Sequence, residues 1–165
     1  LYAVPCPSEE GNLHYAGNLL LQKVAEPTPM VTTCLEPNFQ CEGERAGLVM
    51  HGNPYPFLCV ERCAAGNRVR VYSGKGDKFP NRPHVEAEQS VAEQRIWLRL
   101  YLDGDGMCRY AFSRDGKNFT PIGDRYAVAP GVWIGAKVGI FSLSPNVVAG
   151  GGYADFDFLR IACQK

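Results

Sequence analysis

Ile96-Trp97-Leu98-Arg99-Leu100-Tyr101-Leu102-Asp103-Gly104-Asp105-Gly106-Met107-Cys108-Arg109-Tyr110-Ala111-Phe112-Ser113 is the stretch on which the fold class turns. A seven-residue, mostly apolar run leads into two Asp-Gly pairs, and a second apolar run leaves them. Asp and Gly tolerate positive φ, so the pattern predicts an antiparallel hairpin. Trp97, inside the most apolar of these runs, is expected to be buried. A second turn, Arg114-Asp115-Gly116-Lys117-Asn118, leads into Phe119-Thr120-Pro121-Ile122 and extends the hairpin to a third strand.

Outward from this centre the same grammar repeats. Ala46 to His51 and Phe57 to Arg62 are short apolar-rich runs separated by Gly52-Asn53-Pro54, a turn cluster. Arg68-Val69-Arg70-Val71-Tyr72 alternates polar and apolar residues, as a half-buried strand does. Lys137 to Leu143 and Tyr153 to Ile161 read as further strands. His84 to Arg95 is rich in helix formers, but its apolar stripe (Val85, Ala87, Val91, Ala92) is thin, so strand plus loop is the reading. Gly131, Gly135 and Gly139, spaced by four around Trp133, would leave one strand face bare for close packing. Eighteen glycines and 12 prolines suit many short strands and turns better than helices. The expectation is one all-β domain over residues 1–165, an antiparallel sandwich or barrel with two faces to hide.

Composition narrows the function classes. Seventeen Lys+Arg balance 17 Asp+Glu, without the basic excess of a protein that coats nucleic acid. No apolar run approaches the ~20 residues that span a bilayer, so no membrane partner is expected. The start, Leu1 to Pro7, has neither the charge nor the apolar length of a signal peptide, and without an initiator Met it reads as cut from a longer chain. Seven cysteines are an odd number with no C-x-x-C pair, so small buried hydrophobe is the favoured role, ahead of a disulfide framework.

Catalytic patterns are missing from the sequence. Ser73 lacks the glycine of a nucleophile elbow, and Gly135-Ala136-Lys137-Val138 is not a phosphate loop. His14, His51 and His84 are far apart, and Asp103 and Asp105 lack the further acids of a calcium loop. Ser113 to Phe119 approaches the Asp-box of sialidase-type propellers but lacks the spacer between Asp and Gly, which leaves a tight polar hairpin anchored by Phe119. Asn118-Phe119-Thr120 fits a glycosylation sequon, compatible with a surface hairpin. Glu86, Glu88, Asp155 and Asp157 are the acids to consider for glycosidic chemistry, and solvated faces account for all four.

Several runs in order carry a resemblance: Asn18 to Lys23, Glu44 to Met50, Trp97-Leu98-Arg99, Cys108 to Lys117, Gly135 to Phe141, and Ala154 to Arg160. Together they resemble the C-terminal concanavalin A-like β-sandwich (jelly roll) of glycoside hydrolase family 43, the β-xylosidase and α-L-arabinofuranosidase type. The resemblance implies a non-catalytic accessory module, packed on a catalytic β-propeller of the same polypeptide that holds the inverting carboxylates. It implies an aromatic lent to the rim of the substrate pocket, here Trp133, and xylo- or arabino-oligosaccharide as the sugar met there. The residues alone leave a core position open for Trp133. The resemblance also implies calcium at an aspartate of the last strand, here Asp155, with no cofactor otherwise required. Relatives begin with a further strand that this chain lacks, so an unpaired sheet edge and homo-oligomer formation through it are expected. An autonomous carbohydrate-binding module is the alternative, with Tyr2, Tyr15, Tyr55, Tyr72 and Tyr126 as its candidate platform. Breakdown of plant polymers implies a periplasmic or secreted location.

Overall fold

The computed structural model describes residues 1–7, 11–24, 29–74, 82–130, 135–145 and 151–164. The chain runs through β1 (Val4–Pro5), a 3-10 turn (Leu13–Tyr15), β2 (Leu19–Lys23), β3 (Pro29–Asn38), β4 (Arg45–His51), β5 (Tyr55–Cys63) and β6 (Gly66–Gly74). There follow β7 (His84–Ser90), β8 (Ile96–Leu102), β9 (Met107–Ser113), β10 (Thr120–Ala127), β11 (Lys137–Ser144) and β12 (Tyr153–Cys163). Two sheets form. One has seven strands in the order β1-β11-β4-β5-β6-β7, with β2 also paired to β11, and the other five in the order β10-β9-β8-β3-β12. This is the two-sheet sandwich expected, antiparallel throughout except where the two-residue β1 runs parallel to β11. Among the described residues no helix is long and apolar enough to cross a membrane.

The central hairpin folds as its turn chemistry requires. Gly106 takes φ +77°, and β8 pairs with β9 from Trp97↔Ser113 to Leu102↔Cys108. Alternation then divides β8 between its two faces: Ile96, Leu98, Leu100 and Leu102 are buried between the sheets, while Trp97, Arg99 and Tyr101 look outward. Trp97 is therefore not a core residue. It is half-buried on the outer face under the second hairpin, where Gly116 takes φ +73° and a Cβ would meet the indole at 2.8 Å. Asp115 holds that hairpin by accepting from the amides of Asn118 and Lys117, the Asn118 side chain and Ser113 Oγ. These bonds, the amides of Asn118 and Lys117 foremost, keep its carboxyl well below the usual carboxylate range.

The inner faces of the two sheets meet in one core that includes Leu35, Leu48, Leu58, Val69, Val71, Leu98, Tyr110, Phe112 and Ile140. Tyr110 crosses it and donates to the Pro56 carbonyl at 2.7 Å, which satisfies its buried hydroxyl. A second cluster lies on the far side of the seven-stranded sheet. There Tyr55, Phe57, Cys59, Tyr72 and Phe141 are covered by Cys6 and Leu13 of the N-terminal segment. Both faces of β4 and β5 are thus buried, which is why these strands read as unbroken apolar runs.

β7 confirms the strand reading of a helix-favouring sequence. Glu88 bonds Arg68 and Arg70 of β6 across the pair, and cross-strand ion pairs of this kind outweigh helix propensity. The glycine pattern holds only in part. β11 begins at Lys137, so Gly139 lies in the strand and is closely approached by the Leu20 carbonyl, whereas Gly135 precedes it and Gly131 is outside the described residues. Where the sequence leads one to expect an open edge, Leu1–Ala3 pair beside β12. The Leu1 ammonium donates to Ala154 O at 2.6 Å, Ala154 N to Leu1 O at 2.9 Å, and Ala3 N to Gly152 O at 2.8 Å. Beyond them, β12 has no strand on that side among the described residues, and Asp157 and Arg160 stud the rest of its length. Of the seven cysteines, Cys6, Cys34, Cys59 and Cys108 are buried, Cys41 and Cys63 half-buried and Cys163 exposed.

Candidate functional site

Trp133 lies outside the described residues, but its flanks converge on one end of the seven-stranded sheet. Ala129 O accepts from Asn53 N at 3.3 Å in the β4–β5 turn, and Lys137 pairs with His51. At this end His51 and His14 pack ring to ring, 4.6 Å between centroids, and His14 meets Tyr55 edge-on at 4.9 Å. Burial, then His14, then Lys137 pull the His51 pKa down to about 4.

The sign follows from linkage. An unfolded histidine takes up its proton near pH 6.5, while folded His51 refuses it until about pH 4. The unfolded chain therefore binds more protons between these values, and His51 removes stability as pH falls through that window. Discounted for partial exposure, the loss is about 1–2 kcal/mol. Between pH 7 and about 4.5 the native chain should lose roughly 3–6 °C more of its melting temperature than His51→Gln does. Equal losses in thermal unfolding would remove His51 from the account.

The tyrosines do not form the platform expected of them. Tyr55 and Tyr72 are buried, Tyr126 is half-buried against Tyr110, and Tyr15 is exposed beside the 3-10 turn. Tyr2, 70% exposed, instead pairs with Tyr153 at 5.9 Å. The row Tyr55-Phe57-Tyr72 is stacked, with centroids 6.3 and 4.8 Å apart, but Cys6, Leu13 and Ala16 roof it. Arg45 lies over the Tyr72 ring at 4.9 Å, and Glu61 accepts from Tyr72 Oη at 2.5 Å and Arg70 at 2.9 Å. Burial raises the Tyr72 hydroxyl above its ordinary pKa and keeps it a donor.

The acids do not converge. Glu86 and Glu88 sit on β7, the edge beside β10, and Asp155 and Asp157 on β12, at the opposite side of the sandwich. Glu86 lies 2.7 Å from His84, Glu88 bonds two arginines, and Asp157 is 3.5 Å from Arg95. Among the described residues the buried carboxylates are Glu61, held as above, and Glu44. Glu44 accepts backbone N–H bonds from Gln40 at 2.6 Å, Cys41 at 3.0 Å and Gly152 at 3.1 Å, tying the β3–β4 loop to the entry of β12. No sequence pattern marks it, because Gly152 is 108 residues away.

Asp155 is exposed on β12 opposite Glu36, whose carboxylate is already bonded to Arg95. Calcium takes about six to eight oxygen ligands. Among the described residues no three His, Cys, Asp or Glu side chains come together to hold a metal, so the described surroundings of Asp155 do not fit a calcium site.

Comparison with known proteins gives this architecture its relatives. The family described as the beta xylosidase C-terminal concanavalin A-like domain matches residues 6–162. A beta-xylosidase of Formosa agariphila is 28% identical over 116 residues, 68% of this chain and 18% of that protein. The structure of an engineered GH43 glycoside hydrolase with endo-xylanase and exo-arabinofuranosidase activity superposes with TM-score 0.83 at 22% identity, over 100% of this chain and 34% of that one. A bifunctional GH43-CE protein of Bacteroides eggerthii gives 0.85 at 20% identity, over 100% and 21%. The chain thus spans about a fifth to a third of the length of the relatives it matches. The chain belongs to the family of C-terminal concanavalin A-like domains of GH43 β-xylosidases.

Proposed function

We propose that this sandwich is a non-catalytic accessory module of a family 43 glycoside hydrolase acting on xylan- or arabinan-type polysaccharides. In this reading it packs on the catalytic propeller of the same polypeptide, and Trp133 reaches the rim of the substrate pocket. The observation that carries it is the family match across the whole sandwich, from residue 6 to 162, in a chain that spans only a fraction of its relatives. The buried carboxylates support it, since Glu44 and Glu61 are fully engaged in holding structure. A polymer substrate puts the work in the periplasm or outside the cell.

The chain alone should show no turnover of aryl xylosides or arabinofuranosides. In the parent enzyme Trp133→Ala should lower kcat/KM by about tenfold or more, ~1.4 kcal/mol of transition-state binding per tenfold. An unchanged kcat/KM would remove Trp133 from the pocket rim, and turnover by the chain alone would overturn the accessory role. Against an autonomous carbohydrate-binding role stands the roof over Tyr55-Phe57-Tyr72, which closes that aromatic row to sugars. Calcium at Asp155 would need donors beyond those described. Thermal unfolding with EDTA and with added calcium should give midpoints within about 2 °C of each other, and a larger rise with calcium that Asp155→Asn abolishes would establish the ion.

A further inference from the structure

The outer face of the five-stranded sheet carries a pattern that packing on a propeller does not require. Strand register lines up three rows across it: Cys34, Trp97 and Ser113; Arg160, Thr32, Arg99, Ala111 and Pro121; Met30, Tyr101, Arg109 and Arg125. The arginines at the ends are paired. Asp103 and Asp105 hold Arg125 at 3.1 and 2.6 Å, Asp103 lies 3.4 Å from Arg109, and Glu36 and Asp157 hold Arg95. The middle row has no acid. Arg99, half-buried, lies over the Phe119 ring at 3.4 Å and gives Nε to Thr32 Oγ1 at 3.0 Å, with no carboxylate within ion-pair distance among the described residues. Arg160, next to it across Thr32, rests over Phe158 at 5.1 Å and likewise has none.

A partly desolvated guanidinium normally has an anionic partner, and one held flat on an aromatic ring is pre-organised for a planar, two-oxygen anion. Next to this row lies a groove of about 320 Å³, which Arg99 itself does not line; Ala111 and Pro121 of the row line it with Tyr101, Arg109, Phe119, Asp124 and Arg125. That is within the ~300–1,000 Å³ range of small-ligand pockets. Arg99 covers one face of Phe119 and Arg109 lies over Tyr101, so the half-exposed remainder of these rings adjoins a guanidinium whose bonds go to the hydroxyls of Thr32 and Tyr101 rather than to a carboxylate. We propose that this face, centred on Arg99, binds a carboxylate-bearing saccharide, a uronic acid unit on a neutral polysaccharide backbone. The saccharide class rests on the glycoside hydrolase reading, whereas anion binding rests on the face alone.

The test is titration of this chain, by calorimetry and by amide chemical shifts, with a glucuronic acid-substituted xylo-oligosaccharide, its neutral counterpart and an acidic peptide. The acidic oligosaccharide should saturate, bind about tenfold or more tighter than the neutral one, and weaken as salt rises from about 50 to about 500 mM. Arg99→Gln should cost about tenfold or more in affinity and Arg99→Lys an intermediate amount, with shifts centred on β8, β9 and β10 and on their row neighbours Thr32 and Arg160. If Arg99→Gln does not fold, Arg160→Gln reports on the same row. No binding, equal affinity for the neutral sugar, or variants that bind as the native chain does would overturn the proposal. Equal competition by the acidic peptide would overturn the saccharide and leave an anion site for another protein surface. None of these outcomes bears on Trp133, whose test is made in the parent enzyme.

Discussion

An alanine at position 44 is expected to lower the melting temperature of this chain by roughly 10 °C. The buried Glu44 carboxylate is the acceptor for three backbone N–H groups, in a buried bond from Gly152 and partly buried bonds from Gln40 and Cys41. Each buried donor left without an acceptor costs about 1–3 kcal/mol, and water entering the gap recovers part of that. A net loss of about 3–5 kcal/mol follows, and a domain of this size shifts ~2–4 °C per kcal/mol. Glu44→Gln keeps an acceptor oxygen but turns an amide NH₂ toward N–H groups, so an intermediate loss is expected. Hydrogen exchange distinguishes this staple from general loosening: protection should fall first at Gln40, Cys41 and Gly152. A Glu44→Ala chain melting within 2 °C of the native one would show that the loops are held by other means.

Phe57→Ala should cost at least as much in total. Phe57 is fully buried at the centre of the second cluster, stacked on Tyr72 at 4.8 Å and edge-on to Phe141 at 5.3 Å, with the Arg45 guanidinium 5.9 Å from its ring. Phe→Ala in a core costs about 3–5 kcal/mol, and aromatic pairs add about 0.5–1.5 kcal/mol each. The surrounding groups are short of freedom to collapse, since Arg45 lies over Tyr72 and Tyr72 is tied to Glu61. The denaturant midpoint should fall accordingly while the slope stays constant, and Phe57→Leu should recover most of the loss. A small effect would mean that Leu13 and its 3-10 turn close over the gap, and the amide protection of that turn would then be unchanged.

Turn chemistry and period made most of the fold legible. The Asp-Gly hairpins, the alternating β6 and the apolar runs at β4 and β5 all announce themselves locally. β3 did not, although Val31-Thr32-Thr33 is a β-branched run, because prolines at 29 and 37 punctuate it. Trp97 was misleading for a simpler reason: an apolar residue in an apolar strand reads as core, whereas the leucines at 98, 100 and 102 had already claimed the inner face. The candidate site was less legible than the fold. Tyr55 and Tyr72 pass for exposed sugar platforms until Cys6, Leu13 and Ala16, distant in sequence, cover them. Glu44 and the row through Arg99 depend on register between strands far apart in the chain, and no local pattern encodes it.

Burial of β4 and β5 on both faces changes what evolution and mutagenesis can do there. In β8, tolerance to polar substitution should alternate with every residue, since one side faces solvent and the other the core. In β4 and β5 that rhythm vanishes: from Ala46 to Met50 and from Tyr55 to Val60 there is no permissive side, and drift in these strands is confined to swaps that conserve volume. The middle layer of the molecule should thus tolerate the fewest substitutions, with room for change left to the outer sheet, the hairpin tips and the N-terminal roof.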